Sequence, residues 1–266
     1  EIESSGLRFH LHAPFIPELS RASIKNSPDN LLLFDQLGSL AASALHAIKK
    51  MGLLTSDFLS TLPNLDDPVP DRYSTIRRAI IDEMKACDLV PKYGSGFGPA
   101  SRLFQSRASI KQLLSSEDLS FVTGRDDEPG WAITANQRNS LQDKFLRSLE
   151  IPDWEEEQLI RQVVSRALDN PYRRSWGSVD PVFMSWLASK SPEWHQSLYS
   201  ILNRYCSEED DFDLLAETRI VKVVGGEYLK ATEAYFQTGS VSDMPGLPRV
   251  DDEIFRVGTK KQQDDA

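Results

Sequence analysis

Two short segments of this chain resemble each other and constrain its fold more than any other feature. Residues 89–105 read LVPKYGSGFGPASRLFQ, and residues 220–237 read IVKVVGGEYLKATEAYFQ. Each has an apolar pair, a lysine, a glycine turn, an alanine and an aromatic residue near a closing glutamine. A glycine turn between apolar residues predicts a β-hairpin. The alignment needs one inserted residue, so chance similarity is the alternative to an internal repeat.

Apolar residues recur at helical spacing through much of the remaining sequence, as in residues 30–51 and 71–87. This periodicity indicates amphipathic helices around each hairpin. We therefore expect a mainly helical α+β fold made of two related helix–β-hairpin–helix units and an N-terminal strand. The first unit, with that strand, is assigned to residues 1–130, and the second to residues 131–266.

The expected N-terminal strand rests on a strict alternation of side chains. Leu7, Phe9 and Leu11 would point to one face, and Arg8, His10 and His12 would point to the other. Such a period of two is typical of a half-buried strand, here with a cationic outer face. Proline residues then end the strand.

Charge is distributed unevenly along the sequence. The formal net charge is −10, which disfavours a general nucleic-acid surface. The stretch from Arg72 to Lys111, however, carries eight basic and three acidic residues. A solvated face is one interpretation, and a recognition surface for a nucleic acid or an acidic protein is the other. The candidate surface residues are His10, His12, Arg72, Arg77, Arg78, Arg102 and Arg107.

No set of residues in the sequence forms a recognisable catalytic centre, and none is assigned as catalytic. His10 and His12 share a strand face and could ligate a metal, but no third ligand is evident at a suitable spacing. An interface role and a structural role are the alternatives, and we assign no metal or cofactor to this segment. The glycines at 94, 96 and 98 fit a hairpin turn better than a phosphate loop.

The two cysteines, Cys87 and Cys206, are too few for a disulfide framework. Neither cysteine has a histidine at a sequence spacing typical of a catalytic pair. A histidine could still lie close to either cysteine in the folded chain. No run of apolar residues reaches the roughly 20 needed to cross a bilayer. The acidic start lacks the features of a signal peptide, so we expect a cytoplasmic segment of a longer protein with no membrane partner.

Several motifs resemble those of large bacterial sacsin-like proteins. RFHLHAPF at residues 8–15 is the most distinctive of them. Shorter similarities follow in both halves of the chain, at residues 52–54, 58–59, 62–64, 76–78, 220–222, 235–236, 247–251 and 258–263. The family begins with an ATP-binding domain of the GHKL class, and the resemblance places this chain after that domain.

The resemblance implies a non-catalytic coupling and interaction module of a multidomain ATPase, with a chaperone-like or anti-phage role. ATP and Mg²⁺ would bind only in the upstream domain, since this chain lacks the motifs of that site. Its partners would be the upstream ATP-binding domain and downstream domains of the same chain, with self-association as a further expectation. Segments after GHKL domains can extend a cation toward the γ-phosphate, and Arg8, Arg21 and Lys25 are the candidates for this role.

Overall fold

The computed structural model describes residues 3–134, 140–168, 179–209, 216–235 and 246–256. These residues form a mainly helical α+β structure with a few short strands, which confirms the expected fold class. The chain divides into two compact units, Glu1–Asp153 and Trp154–Ala266. The sequence-based boundary after residue 130 differs from this division, because paired strands and a helix attach residues 131–153 to the first unit. The motif at residues 258–263 and the end of the second repeat at 236–237 lie outside the described residues.

The first unit contains five helices and four strands among its described residues. In chain order they are α1 (Pro28–Lys50), α2 (Asp71–Ala86), β1 (Val90–Pro91), β2 (Phe97–Gly98), β3 (Leu103–Phe104), α3 (Ala108–Leu113), α4 (Ser116–Thr123), β4 (Gly130–Trp131) and α5 (Ser140–Ser148). Short 3-10 helices at Phe58–Thr61 and Ala100–Arg102 connect them.

Helices α1 and α2 pack along each other and form the centre of the first unit. The hydroxyl of Ser27 caps α1 by accepting from the Asn30 N–H, and a proline occupies the first helical position. Gly38 allows a close approach, since a Cβ placed there would lie 3.3 Å from the carbonyl oxygen of Thr75. By length and composition alone, helix α1 could cross a membrane, a property that it shares with buried core helices. One face of α1 is buried in this unit, through Phe34, Leu37 and Leu45.

Residues 3–16 form no strand in the structure, which corrects the expectation from their alternation. Burial does alternate: Leu7, Phe9 and Leu11 are partly buried against the core, whereas His10 and His12 are exposed. The pattern therefore predicted the buried face correctly. It could not show that side-chain packing on the helical core, rather than pairing with another strand, holds this segment.

Both glycine turns join two antiparallel strands. In the first unit Val90 pairs with Gly98 and Pro91 with Phe97. In the second unit, β5 (Val221–Lys222) pairs with β6 (Tyr228–Leu229). Each hairpin is followed at once by a 3-10 turn, at Ala100–Arg102 and at Ala231–Glu233.

Hydrogen bonds around the two hairpins follow the same pattern. The Tyr93 N–H donates to the carbonyl of Trp131 at 2.9 Å, and the Val224 N–H donates to that of Arg249 at 2.8 Å. The residue after each acceptor then donates its N–H to the carbonyl of the aromatic residue two positions after the 3-10 turn. These bonds are Ala132 N–H to Phe104 O at 2.9 Å and Val250 N–H to Tyr235 O at 3.0 Å. Each hairpin is thus bound to a later segment of its own unit in the same way.

The second unit contains four helices besides this hairpin within the described residues. They are α6 (Glu156–Ala167), α7 (Pro181–Ala188), α8 (Pro192–Glu209) and α9 (Asp252–Arg256). Helix α8 packs against α6 and α9. The core of this unit is apolar, with Leu159, Val163, Phe183, Leu198 and Ile254 fully buried.

Candidate functional site

Residues 16–25 form a protruding loop, called here the N-terminal loop. Pro17 and Ile24 form an antiparallel bridge, and the Glu18 N–H donates to the Ser23 carbonyl at 2.9 Å. Asn30, which is buried at the start of α1, closes the base of the loop. Its side chain accepts from the Ile16 N–H at 2.9 Å and donates to the carbonyls of Ile16 and Lys25 at 2.8 and 2.7 Å.

Arg21 lies at the tip of the N-terminal loop, where its backbone adopts a φ of 56°. The side chain of nearby Leu19 is fully exposed, and Lys25 is exposed at the base. Neither Arg21 nor Lys25 forms an ion pair with any residue that the structure describes. Both predicted cations are therefore accessible to a partner.

Arg8, the third predicted phosphate-contacting cation, is instead engaged within the fold. Its guanidinium forms an ion pair with the Asp67 carboxylate and donates to the Leu62 carbonyl at 3.0 Å. The Asp67 carboxylate also accepts from the Asn64 N–H at 2.8 Å. Arg8 therefore contacts the loop at residues 62–67 through both its ion pair and its hydrogen bond.

The basic residues from Arg72 to Lys111 have different surroundings. Arg72 lies 3.2 Å from the Glu3 carboxylate and donates to the Ile24 carbonyl, and Arg77 donates to the carbonyls of Asn64 and Asp67.

The remaining cations of this stretch also differ in burial and in their hydrogen bonds. The Lys111 ammonium is buried and donates to the Ala132 carbonyl at 2.8 Å. Arg102 is partly buried, with a 3.5 Å contact to the Asp127 carbonyl, whereas Arg78 and Arg107 are exposed. Several of these cations thus stabilise the fold, which reduces the charge available to a nucleic acid.

A groove with a volume of about 350 Å³ lies beside the first hairpin. It is lined by cations, Lys92 and Arg102, and by acidic residues, Asp88, Glu117 and Glu128. The mixture of both signs gives no preference for an anionic or a cationic ligand.

A cluster of three different metal-ligating side chains lies on the paired surface of α1 and α2. His46 Nε2 is 2.6 Å from Glu83 Oε1, and Cys87 Sγ is 3.4 Å from the same oxygen. The hydrogen bond from His46 lowers the pKa of Glu83. Burial, with a further contribution from Glu83, raises the pKa of Cys87. The sequence did not reveal this cluster, because His46 lies on α1 whereas Glu83 and Cys87 lie at the end of α2 and directly after it.

His10 and His12 do not form a comparable cluster. Among the described residues, the group at His46 alone brings three histidine, cysteine or carboxylate ligand atoms within 4.8 Å of one another. The alternative that His10 and His12 ligate a metal therefore gains no third ligand from the described part of the chain.

A buried histidine connects α8 to the hairpin of the second unit. His195 Nδ1 lies 2.9 Å from the Ser191 carbonyl, and Nε2 lies 2.7 Å from the Tyr228 hydroxyl. A carbonyl only accepts, so Nδ1 carries the proton and Nε2 accepts from Tyr228 when the ring is neutral. Burial lowers the pKa of His195 and raises that of Tyr228. The sequence analysis did not single out this pair, which belongs to the packed core.

Comparison of the chain with protein-family models, curated proteins and solved structures finds no match.

Proposed function

We propose that this chain is a non-catalytic coupling and interaction module of a multidomain GHKL-type, sacsin-like ATPase. The observation that carries the proposal is the N-terminal loop, which presents Arg21 at its tip and Lys25 at its base to solvent. In this proposal the loop contacts the upstream ATP-binding domain, where ATP and Mg²⁺ bind. Downstream domains of the same cytoplasmic protein, and a second copy of it, are the other proposed partners.

A cation at this position has a clear chemical use. Phosphoryl transfer spreads negative charge over the γ-phosphate oxygens, and a guanidinium placed against them stabilises that charge. The fully exposed Leu19 beside Arg21 supplies an apolar contact to the same partner. Asn30 fixes the loop to α1 through three hydrogen bonds, so displacement of the loop would act directly on the first unit.

The finer architecture belongs to the same proposal. We infer that the chain contains two copies of one helix–hairpin–helix unit. The matching hydrogen bonds of Tyr93 and Val224, and those of Ala132 and Val250, support this inference. Two copies of a packing unit suit a segment that transmits movement between domains rather than one that catalyses a reaction.

The proposal is tested by ATP hydrolysis in the full-length parent protein. Arg21→Ala is expected to lower kcat by at least about 100-fold, the usual scale for loss of a transition-state cation or donor, with little change in ATP affinity. Arg78→Ala, which also removes an exposed arginine, is the matched control and should retain the parental rate. The 266-residue chain alone is expected to hydrolyse no ATP.

Two results would contradict this function. One is unchanged kcat in a double variant, Arg21→Ala with Lys25→Ala. The other is salt-dependent binding of DNA or RNA by the isolated chain that is abolished by reversing the charges of Arg77, Arg78 and Arg102. The second result would favour the alternative recognition module.

A further inference from the structure

We propose that His46, Glu83 and Cys87 form a Zn²⁺-binding site on the surface of the first unit. The site is independent of the proposed coupling function, because it lies on α1 and α2 and uses no residue of the N-terminal loop.

The ligand atoms lie at distances that suit a tetrahedral Zn²⁺ ion. All three lie within 4.8 Å of one another, at 2.6 Å for His46 Nε2 to Glu83 Oε1 and 3.4 Å for Cys87 Sγ to the same oxygen. Tetrahedral Zn²⁺ has bonds of about 2.0–2.3 Å, which put its ligand atoms about 3.3–3.6 Å apart. The sulfur–oxygen distance already fits this range. Rotation of the half-exposed imidazole away from the carboxylate would admit the ion without movement of the helices.

The ligands are supported by packed helices. Glu83 lies in the last turn of α2, and Cys87 is the first residue after that helix, where its N–H still donates to the Glu83 carbonyl at 2.8 Å. His46 projects from α1, which packs along α2 and buries Leu45 beside it. A site with ligands from two packed helices is held more precisely than one on a loop.

The three ligands also have the chemistry that selects Zn²⁺. Thiolate, imidazole and carboxylate together suit Zn²⁺, whereas Mg²⁺ and Ca²⁺ prefer oxygen ligands alone. Binding releases the thiol proton of Cys87 to solvent. The Nε2 proton that His46 donates to Glu83 also leaves that nitrogen, to solvent from a protonated ring or to Nδ1 through solvent from a neutral ring, so that a neutral imidazole ligates the ion. One thiolate and one carboxylate then balance the two positive charges of the ion. The exposed side of the cluster leaves the fourth position to water or to a ligand from a partner.

The test is isothermal titration of the reduced chain with ZnCl₂. We expect one ion per chain at this site. His46→Ala or Cys87→Ser should weaken binding at least about 10-fold, because loss of a residue that only hydrogen-bonds to a metal ligand already lowers metal affinity by about 10–100-fold. Co²⁺ added in place of Zn²⁺ should give a thiolate charge-transfer absorption that Cys87→Ser removes. His12→Ala, which removes another exposed histidine, and Glu150→Gln, which removes another exposed carboxylate, are the matched controls.

Three outcomes would overturn the site. These are absence of Zn²⁺ binding by the parent chain, equal binding by the parent and His46→Ala, and a Co²⁺ complex without thiolate absorption. The first would leave His46 and Glu83 as an ordinary surface ion pair. His46 is exposed, so His46→Ala should fold normally, and circular dichroism of each variant checks that a loss of binding is local.

Discussion

The guanidinium of Arg8 forms a two-pronged ion pair with the carboxylate of Asp67, a residue 59 positions later in the chain. The same guanidinium donates to the Leu62 carbonyl. Arg77 donates to the Asp67 carbonyl in the same loop, which spans residues 62–67. Two arginines thus contribute to holding residues 62–67, together with the hydroxyl of Ser148, which accepts from the Leu65 N–H. Arg8 adds a polar contact between the N-terminal segment and the first unit to the packing of Leu7, Phe9 and Leu11 on the core.

Replacement of Arg8 by alanine is expected to lower the free energy of unfolding by about 1–3 kcal/mol, since the mostly buried Asp67 carboxylate loses its charged donors. Urea unfolding followed by circular dichroism measures the change. Arg78→Ala, at an exposed position, should stay within about 0.5 kcal/mol of the parent. Equal stability of the two variants would show that the ion pair does not fix the loop.

Lys111 provides a second test, because its ammonium is buried instead of lying on a basic surface. It donates to the Ala132 carbonyl at 2.8 Å and to Gln105 Oε1 at 3.1 Å, and thereby connects α3 to the residues after β4. Lys111→Met keeps most of the aliphatic volume but leaves these acceptors without that donor. We expect a loss of about 1–3 kcal/mol in the free energy of unfolding, measured by urea titration. A neutral result would show that other groups or water satisfy the acceptors.

His195 makes the stability of the second unit depend on pH. Burial lowers its pKa below the unfolded value of about 6.5, so the unfolded chain binds more protons as the pH falls through that value. The second unit therefore loses stability as the pH falls below about 6.5, and His195 has no such effect above that pH. Burial has the largest effect on the pKa of His195. Lys222 lowers this pKa further and Asp251 raises it, each by less than burial does.

The measurement compares the parent with His195→Gln at pH 7.5 and pH 5.5. The glutamine keeps a hydrogen-bonding group but does not titrate, so the stability of the parent should fall more than that of the variant between the two pH values. An NMR titration of the parent in which the His195 ring is already protonated at neutral pH would contradict the neutral tautomer derived from Ser191 and Tyr228.

Local patterns in the sequence predicted the two long helices of the first unit and both glycine-turn hairpins, because each depends on neighbouring residues. Apolar spacing predicted α1 and α2, and the alternation of Leu7, Phe9 and Leu11 predicted which side chains of the N-terminal segment are buried. The same alternation gave the wrong secondary structure there. Strand formation needs a neighbouring backbone with free hydrogen-bonding groups, and alternation carries no information about that neighbour.

The sequence by itself therefore determined the mainly helical α+β class and the two glycine-turn hairpins. Only the tertiary structure decided that Arg8 and Lys111 stabilise the fold and that His46 meets Glu83 and Cys87. The physical reason is that local hydrogen bonding and side-chain periodicity act over a few residues. The partner of a charge or a ligand is chosen instead by the packing of distant helices, as for His46 on α1 and Glu83 on α2, which are 37 residues apart.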